Sequence, residues 1–144
     1  MYRPSLAPLP ESGDHLTSLY QKSQQAASLA QQFADQAEHD FLQRYFERRS
    51  RHLQTVCSWL QHLPTFSSNF APFVVDVDTS SLSSDEEILA SFIAINDELS
   101  SQVSEILAAD AIHPFGRSAL TREYQELHRH RRCLLTLKAS LQLG

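Results

Sequence analysis

The sequence predicts an all-α fold in which four amphipathic helices pack as one bundle. The chain has 144 residues, and its 3 Gly and 6 Pro cluster at a few points. Both residue types are costly inside helices, so the clusters mark where helices stop. The stretches between them carry apolar residues at three- and four-residue spacing, which gives each helix one apolar face. Four such faces cover one another in a four-helix bundle.

Four helices are predicted, over residues 14–35, residues 38–63, a segment that begins after Ser84, and residues 117–141. The third has the clearest start, because Ser84 followed by Glu87 forms a capping box. The predicted core consists of the residues on the four stripes: Leu16, Leu19, Tyr20, Ser23, Ala26, Ala27, Ala30, Phe33, Leu42, Tyr45, Phe46, Leu53, Val56, Leu60, Leu63, Ile88, Phe92, Ile95, Leu99, Val103, Ile106, Leu120, Tyr124, Leu127, Leu134, Leu137 and Leu141.

The connections predict two antiparallel hairpins joined by a long crossover. Short links join the first helix to the second and the third to the fourth, as in helical hairpins. Residues 64–84 form a link of 21 residues. Fully extended, it spans about 70 Å, against about 39 Å for a helix of about 26 residues. The link can therefore return along the whole bundle, although an up-down-up-down bundle with a decorated loop is an alternative.

Composition and charge limit the classes of protein. A hydrophobic fraction of 42% with 20% charged residues is typical of a globular domain. Pro4, Pro8, Pro10 and Gly13 fall within the first 13 residues, so we predict a flexible N-terminal arm at residues 1–13 and one domain at residues 14–144. No apolar run approaches 18 residues, so no membrane span is predicted. The N-terminal segment lacks the apolar stretch of a secretory signal, and 2 Cys do not make a disulfide framework, which favours a cytoplasmic location.

Three segments carry a resemblance to a known family: FADQAEHDFLQRYFERRSRHLQTV, SSDEEILASFIAINDEL and TREYQELHRHRRCLLTLKASL. They resemble a small bacterial ferritin-like family of unassigned function, and the resemblance covers most of residues 14–141. It implies a ferritin-like four-helix bundle. The functional centre of that superfamily is a di-iron or di-manganese site, held by a Glu from each of two helices and a Glu-x-x-His pair from each of the other two.

The residues that such a metal site needs are missing from the sequence. None of the 7 His follows a Glu by three positions, and the first helix has no acid between Asp14 and Asp35. We therefore predict no metal ligands, no cofactor and no catalytic residues.

Cations occupy the stripes where carboxylates are expected. Arg49 in the second helix and Arg131 in the fourth fall at inward-facing positions, and a cation repels a metal ion. We predict that His52, Glu98 and His130 join them in a buried polar layer, with an acid of the third helix pairing with one arginine. The alternative is that both arginines extend their charged heads to solvent over an apolar stem.

Three further sites are weaker alternatives. Glu126 and His130 are four residues apart and form either a cation site or an ordinary helix-surface pair. Residues 76–87 match part of a calcium loop but lack its glycine, and a helix cap explains the same residues. Cys57 and Cys133 lack CxxC spacing and are predicted to be buried thiols.

Function is predicted from the chemistry that the chain lacks and from its charge. The net charge is −5, yet ten of the 12 Lys and Arg residues fall in the second and fourth predicted helices. No nucleic-acid-binding motif is present, so a protein partner or a second copy of the chain is favoured over nucleic acid or a membrane. We predict a non-enzymatic structural or interaction protein, such as a homo-oligomer. The alternatives are a metal- or ligand-binding protein with a non-standard site and an assembly chaperone.

Overall fold

A computed structural model of the chain describes residues 12–63, 84–109 and 114–143. Within these ranges it contains four helices and no strand: α1 (Ser12–Gln36), α2 (Asp40–Leu60), α3 (Asp85–Ala108) and α4 (Pro114–Leu143). The predicted all-α fold with four helices is confirmed for these residues. None of the helices, as far as the chain is described, is long and apolar enough to cross a membrane.

Two predicted segments fall largely outside the described residues. The crossover at residues 64–84 is described only at Ser84, and residues 1–11 of the predicted arm are not described. α1 begins at Ser12, two residues before its predicted start at residue 14. The assignment of residues 14–144 to one domain stays a prediction.

The ends of two helices differ from their predicted positions. α2 ends at Leu60, and the chain tightens over residues 61–63, where the N–H of Leu63 bonds the carbonyl of Leu60 at 3.2 Å. α4 begins at Pro114, three residues before its predicted start. Proline suits the first position of a helix, because its φ angle fits and no N–H is needed there.

The predicted core residues lie in the interior. All of them are buried except Ile95, Tyr124, Leu137 and Leu141, which are half-buried against the same cluster. Three aromatic rings join α1, α2 and α3: Phe46 meets Phe33 and Phe92 edge to face, with ring centroids 5.6 and 5.2 Å apart. Such pairs add to the free energy gained from the buried area alone.

Polar contacts align the helices around this core. The Oγ of Ser50 donates to the carbonyl of Ala27 at 2.9 Å, which ties α2 to α1. The Nζ of Lys22 donates to Gln102 Oε1 at 3.1 Å, which ties α1 to α3. The closest helix pairs are α1 with α2, α3 with α4, and α1 with α3. α2 and α4 approach less closely.

Two acceptors fix the start of α3. Ser84 Oγ accepts the N–H of Glu87 at 3.1 Å, which confirms the predicted cap. The buried Asp85 carboxylate accepts the N–H groups of Glu38 and His39 at 2.9 and 3.1 Å, and the His39 ring also contacts it. Asp85 therefore attaches the turn between α1 and α2 to the first turn of α3.

Candidate functional site

The most unusual side chain of the interior is Arg49. It lies on the apolar stripe of α2, seven residues after Leu42 and seven before Val56, and it is 1% exposed. Its Nε and both terminal nitrogens have no hydrogen-bond partner among the residues that the structure describes. Burial lowers the pKa of the Arg49 guanidinium. The charges of Tyr45, Glu123 and Glu126 raise this pKa, but by less than burial lowers it. Because arginine keeps its proton in proteins, position 49 places a full positive charge in the core.

A neutral histidine lies beside this charge. Burial, and then the positive charge of Arg49, lower the pKa of His130 to about 3, so its ring is neutral near pH 7. The hydroxyl of Tyr45 lies 3.0 Å from Nδ1 of His130. Burial raises the pKa of Tyr45, so the phenol keeps its proton and forms a neutral hydrogen bond with the ring of His130.

A buried carboxylate completes the cluster. Glu123 on α4 is 6% exposed, and its Oε1 lies 3.3 Å from Nε2 of His52 on α2. The rings of His52 and His130 are neighbours, with centroids 5.9 Å apart. We call Tyr45, Arg49, His52, Glu123 and His130 the α2/α4 seam. It combines one cation, one anion, two imidazoles and a phenol.

The seam includes three of the five residues predicted for the polar layer, namely Arg49, His52 and His130. The other two lie at the surface, so their assignment to a buried layer is wrong. The side chain of Arg131 is 46% exposed and bonds Asp97 at 2.9 Å. The side chain of Glu98 is 40% exposed and lies 3.5 Å from Lys22 Nζ. The predicted pairing of one arginine with an acid of α3 is confirmed for Arg131.

Glu123 is the seam residue that the sequence prediction missed. Its position carries a signal, because it lies three residues after Leu120 and four before Leu127 on the buried stripe of α4. A second buried polar residue, Asn96, was also missed. Its Nδ2 donates to the carbonyl of Leu127 at 3.0 Å and ties α3 to α4.

The weaker alternatives have different outcomes. Glu126 pairs with Arg129, and not with His130. Cys57 is buried as predicted, and burial raises the pKa of its thiol to about 12, so it stays protonated. Cys133 is exposed, so its prediction as buried is wrong. Most of the calcium-like segment lies outside the described residues.

A surface groove of about 610 Å³ lies away from the seam, between α1 and α2. Its lining is dominated by amide and hydroxyl side chains: Gln24, Ser28, Gln31, Ser50, Gln54, Ser58 and Gln61. These groups form hydrogen bonds but neither titrate nor ligate metals strongly, and the one thiol in the lining, Cys57, is protonated.

Replacing Arg131 by leucine tests its surface placement. An exposed ion pair contributes little, so the free energy of unfolding is expected to stay within about 0.5 kcal/mol of the unchanged chain. Urea unfolding followed by circular dichroism measures it, with Asp97→Leu as the matched partner variant. A loss above about 1.5 kcal/mol would contradict a surface role.

Over the ranges described, no group of three or more His, Cys, Asp or Glu side chains is arranged to hold a metal ion. Comparison of the chain with known protein families, curated proteins and solved structures finds no significant match. The resemblance to the ferritin-like family therefore stays a prediction.

Proposed function

We propose that the chain is a non-enzymatic structural or interaction protein built on a ferritin-like bundle without the di-metal ligand set. The observation that carries the proposal is the buried guanidinium of Arg49. A cation in the interior opposes the binding of two metal ions, on which oxidoreductase chemistry in this superfamily depends. The buried carboxylate of the seam, Glu123, contacts His52 and balances the charge of Arg49.

The order of the contacts supports a bundle of two antiparallel hairpins. Contacts between α1 and α2 run in opposite directions along the two helices, through the pairs Phe33–Phe46, Ala27–Ser50 and Tyr20–Cys57. Contacts between α2 and α3 run in the same direction, through His39–Asp85 and Phe46–Phe92. Parallel α2 and α3 require a link that returns along the bundle, and the 20 residues from 64 to 83 are long enough for one.

The charged surface supports a protein partner. α2 has three exposed arginines, Arg44, Arg48 and Arg51, and α4 has four, Arg122, Arg129, Arg131 and Arg132. α3 instead has Glu86, Asp97 and Glu105 among its acids and carries no Lys or Arg. Complementary charge favours the association of a basic face with an acidic one. A second copy of the chain offers both, so we propose a homo-oligomer in which the basic face of one copy meets α3 of the next.

Light scattering after size-exclusion chromatography tests the oligomer. At low salt we expect a mass that is a multiple of 16.3 kDa, and at high salt a shift towards the monomer. The triple variant Arg44→Gln, Arg48→Gln, Arg51→Gln is expected to be monomeric at both salt concentrations. The control variant Ser28→Glu, Gln31→Glu, Gln54→Glu changes the net charge equally on another face and is expected to associate normally. A monomer under every condition would contradict the homo-oligomer.

Metal analysis of the purified protein tests the proposal that the bundle lacks a di-metal site. We expect no stoichiometric iron, manganese or zinc, and no change in melting temperature when these metals are added. Stoichiometric metal would contradict the proposal and favour the alternative, a metal-binding ferritin-like protein with a non-standard site.

A further inference from the structure

Arg49 has donors that the contacts of the described chain do not use. Its guanidinium is 1% exposed, and none of its three nitrogens meets an acceptor within those residues. Buried polar groups in proteins are almost always hydrogen-bonded, and an unpaired charged donor is the costliest exception. An acceptor from outside the described chain is therefore needed here.

Two groups of the seam that carry acceptor oxygens contact the histidines and not Arg49. The Glu123 carboxylate contacts His52 at 3.3 Å, and the Tyr45 hydroxyl faces His130 at 3.0 Å. Both raise the pKa of Arg49 through their charge, yet neither forms a hydrogen bond or a close ion pair with it. The guanidinium therefore presents a planar fork of N–H groups to the seam.

The groups around this fork define the chemistry of a ligand. The free groups of Arg49 are all N–H donors, so the ligand must be an acceptor. Carboxylates and phosphates match the two-point geometry of a guanidinium. The negative charges of Glu123 and Glu126 oppose a doubly charged phosphate more than a monoanion. A single carboxylate fits this balance of charge.

We propose that the α2/α4 seam binds a small free carboxylate, with Arg49 as its two-point donor and the ring of His130 beside it. The seam lies between two helices that are not among the closest pairs, and at its edge the side chain of His52 is 36% exposed. A carboxylate carried on a bulky partner cannot reach a side chain that is 1% exposed, so the ligand is a free, compact molecule. This site is independent of the proposed oligomer, because the exposed arginines take no part in it.

Titration of the isotope-labelled full chain with sodium acetate, followed by NMR, tests the site. We expect the resonances of the Arg49 Nε–H group and of the His130 ring to shift and saturate. Sodium chloride at equal ionic strength is expected to give no saturable shift. A linear response to acetate, or an equal response to chloride, would overturn the proposal.

Three variants locate the binding. Arg49→Met is expected to abolish the saturable shift of His130. Arg49→Lys keeps the charge but loses the planar fork, and we expect at least about tenfold weaker binding. The control Arg48→Met removes an exposed arginine one position away and is expected to bind acetate like the unchanged chain. If Arg49→Met does not fold, Arg49→Lys decides alone. Unchanged binding in the folded Arg49 variants, or equal loss in Arg48→Met, would overturn the proposal.

Discussion

Replacing Glu123 by glutamine is expected to lower the free energy of unfolding by about 2 to 3 kcal/mol. The substitution preserves the size of the side chain but removes the buried negative charge that balances Arg49. Breaking a direct buried ion pair costs about 3 to 5 kcal/mol, because one charge is left uncompensated. The cost is expected to be smaller here, because the two side chains interact without direct contact.

A double-mutant cycle isolates this effect from other losses. In an Arg49→Met background no buried cation is left, so Glu123→Gln is expected to cost only about 1 kcal/mol, the value of its hydrogen bond with His52. The difference between the two backgrounds gives the coupling between Arg49 and Glu123. Chemical denaturation of the four chains measures it. Equal costs in both backgrounds would show that Glu123 does not balance Arg49.

Two controls accompany the cycle. Glu126→Gln removes a carboxylate that is paired at the surface with Arg129, and we expect a change of at most about 0.5 to 1 kcal/mol. In Arg49→Met the pKa of His130 is expected to rise from about 3, because a positive neighbour has been removed. It stays below its ordinary value, since burial is the larger cause of the shift. An unchanged His130 pKa would contradict the proximity of the two side chains.

The interior of this bundle could be predicted from periodicity because burial follows a helical face. A residue on an apolar stripe is buried whatever its chemistry, and this placed Arg49 correctly. The same rule applied to Glu123 would have found it, since it lies between Leu120 and Leu127 on one stripe.

Periodicity fails at the edge of a stripe and across long distances in the chain. Arg131 follows the buried Leu127 by four residues, yet it lies at the border of the stripe, where a long side chain reaches solvent. The contacts of Asp85 could not be predicted because they are distant in the chain. Its position in the first turn of α3 explains a favourable interaction with the helix dipole. Its contacts with Glu38 and His39 join segments far apart in sequence, which no local pattern contains.

Replacing Asp85 by asparagine is expected to lower the free energy of unfolding by about 2 kcal/mol. The carboxylate is 6% exposed. It accepts hydrogen bonds from two backbone N–H groups and also contacts the ring of His39. Asparagine offers one oxygen as acceptor and turns an amide group towards the remaining donors. A buried donor without an acceptor costs about 1 to 3 kcal/mol. Glu86→Gln is the matched control, because it removes the same charge from the same turn at an exposed position.

The same carboxylate is expected to make the fold sensitive to acid. Burial alone would raise the pKa of Asp85, but the hydrogen bonds from His39 and Glu38 outweigh it and hold the pKa below its ordinary value. The folded state therefore binds this proton less readily than the unfolded chain. The contribution of Asp85 to stability is complete above about pH 4, the ordinary range of an aspartate, and is lost as the pH falls through the lower value of the folded state. Urea unfolding between pH 2 and 7 is expected to give a shallower acid decline for Asp85→Asn than for Glu86→Gln. Equal slopes would mean that other carboxylates cause the decline, and that the contact between the α1/α2 turn and α3 does not depend on the charge of Asp85.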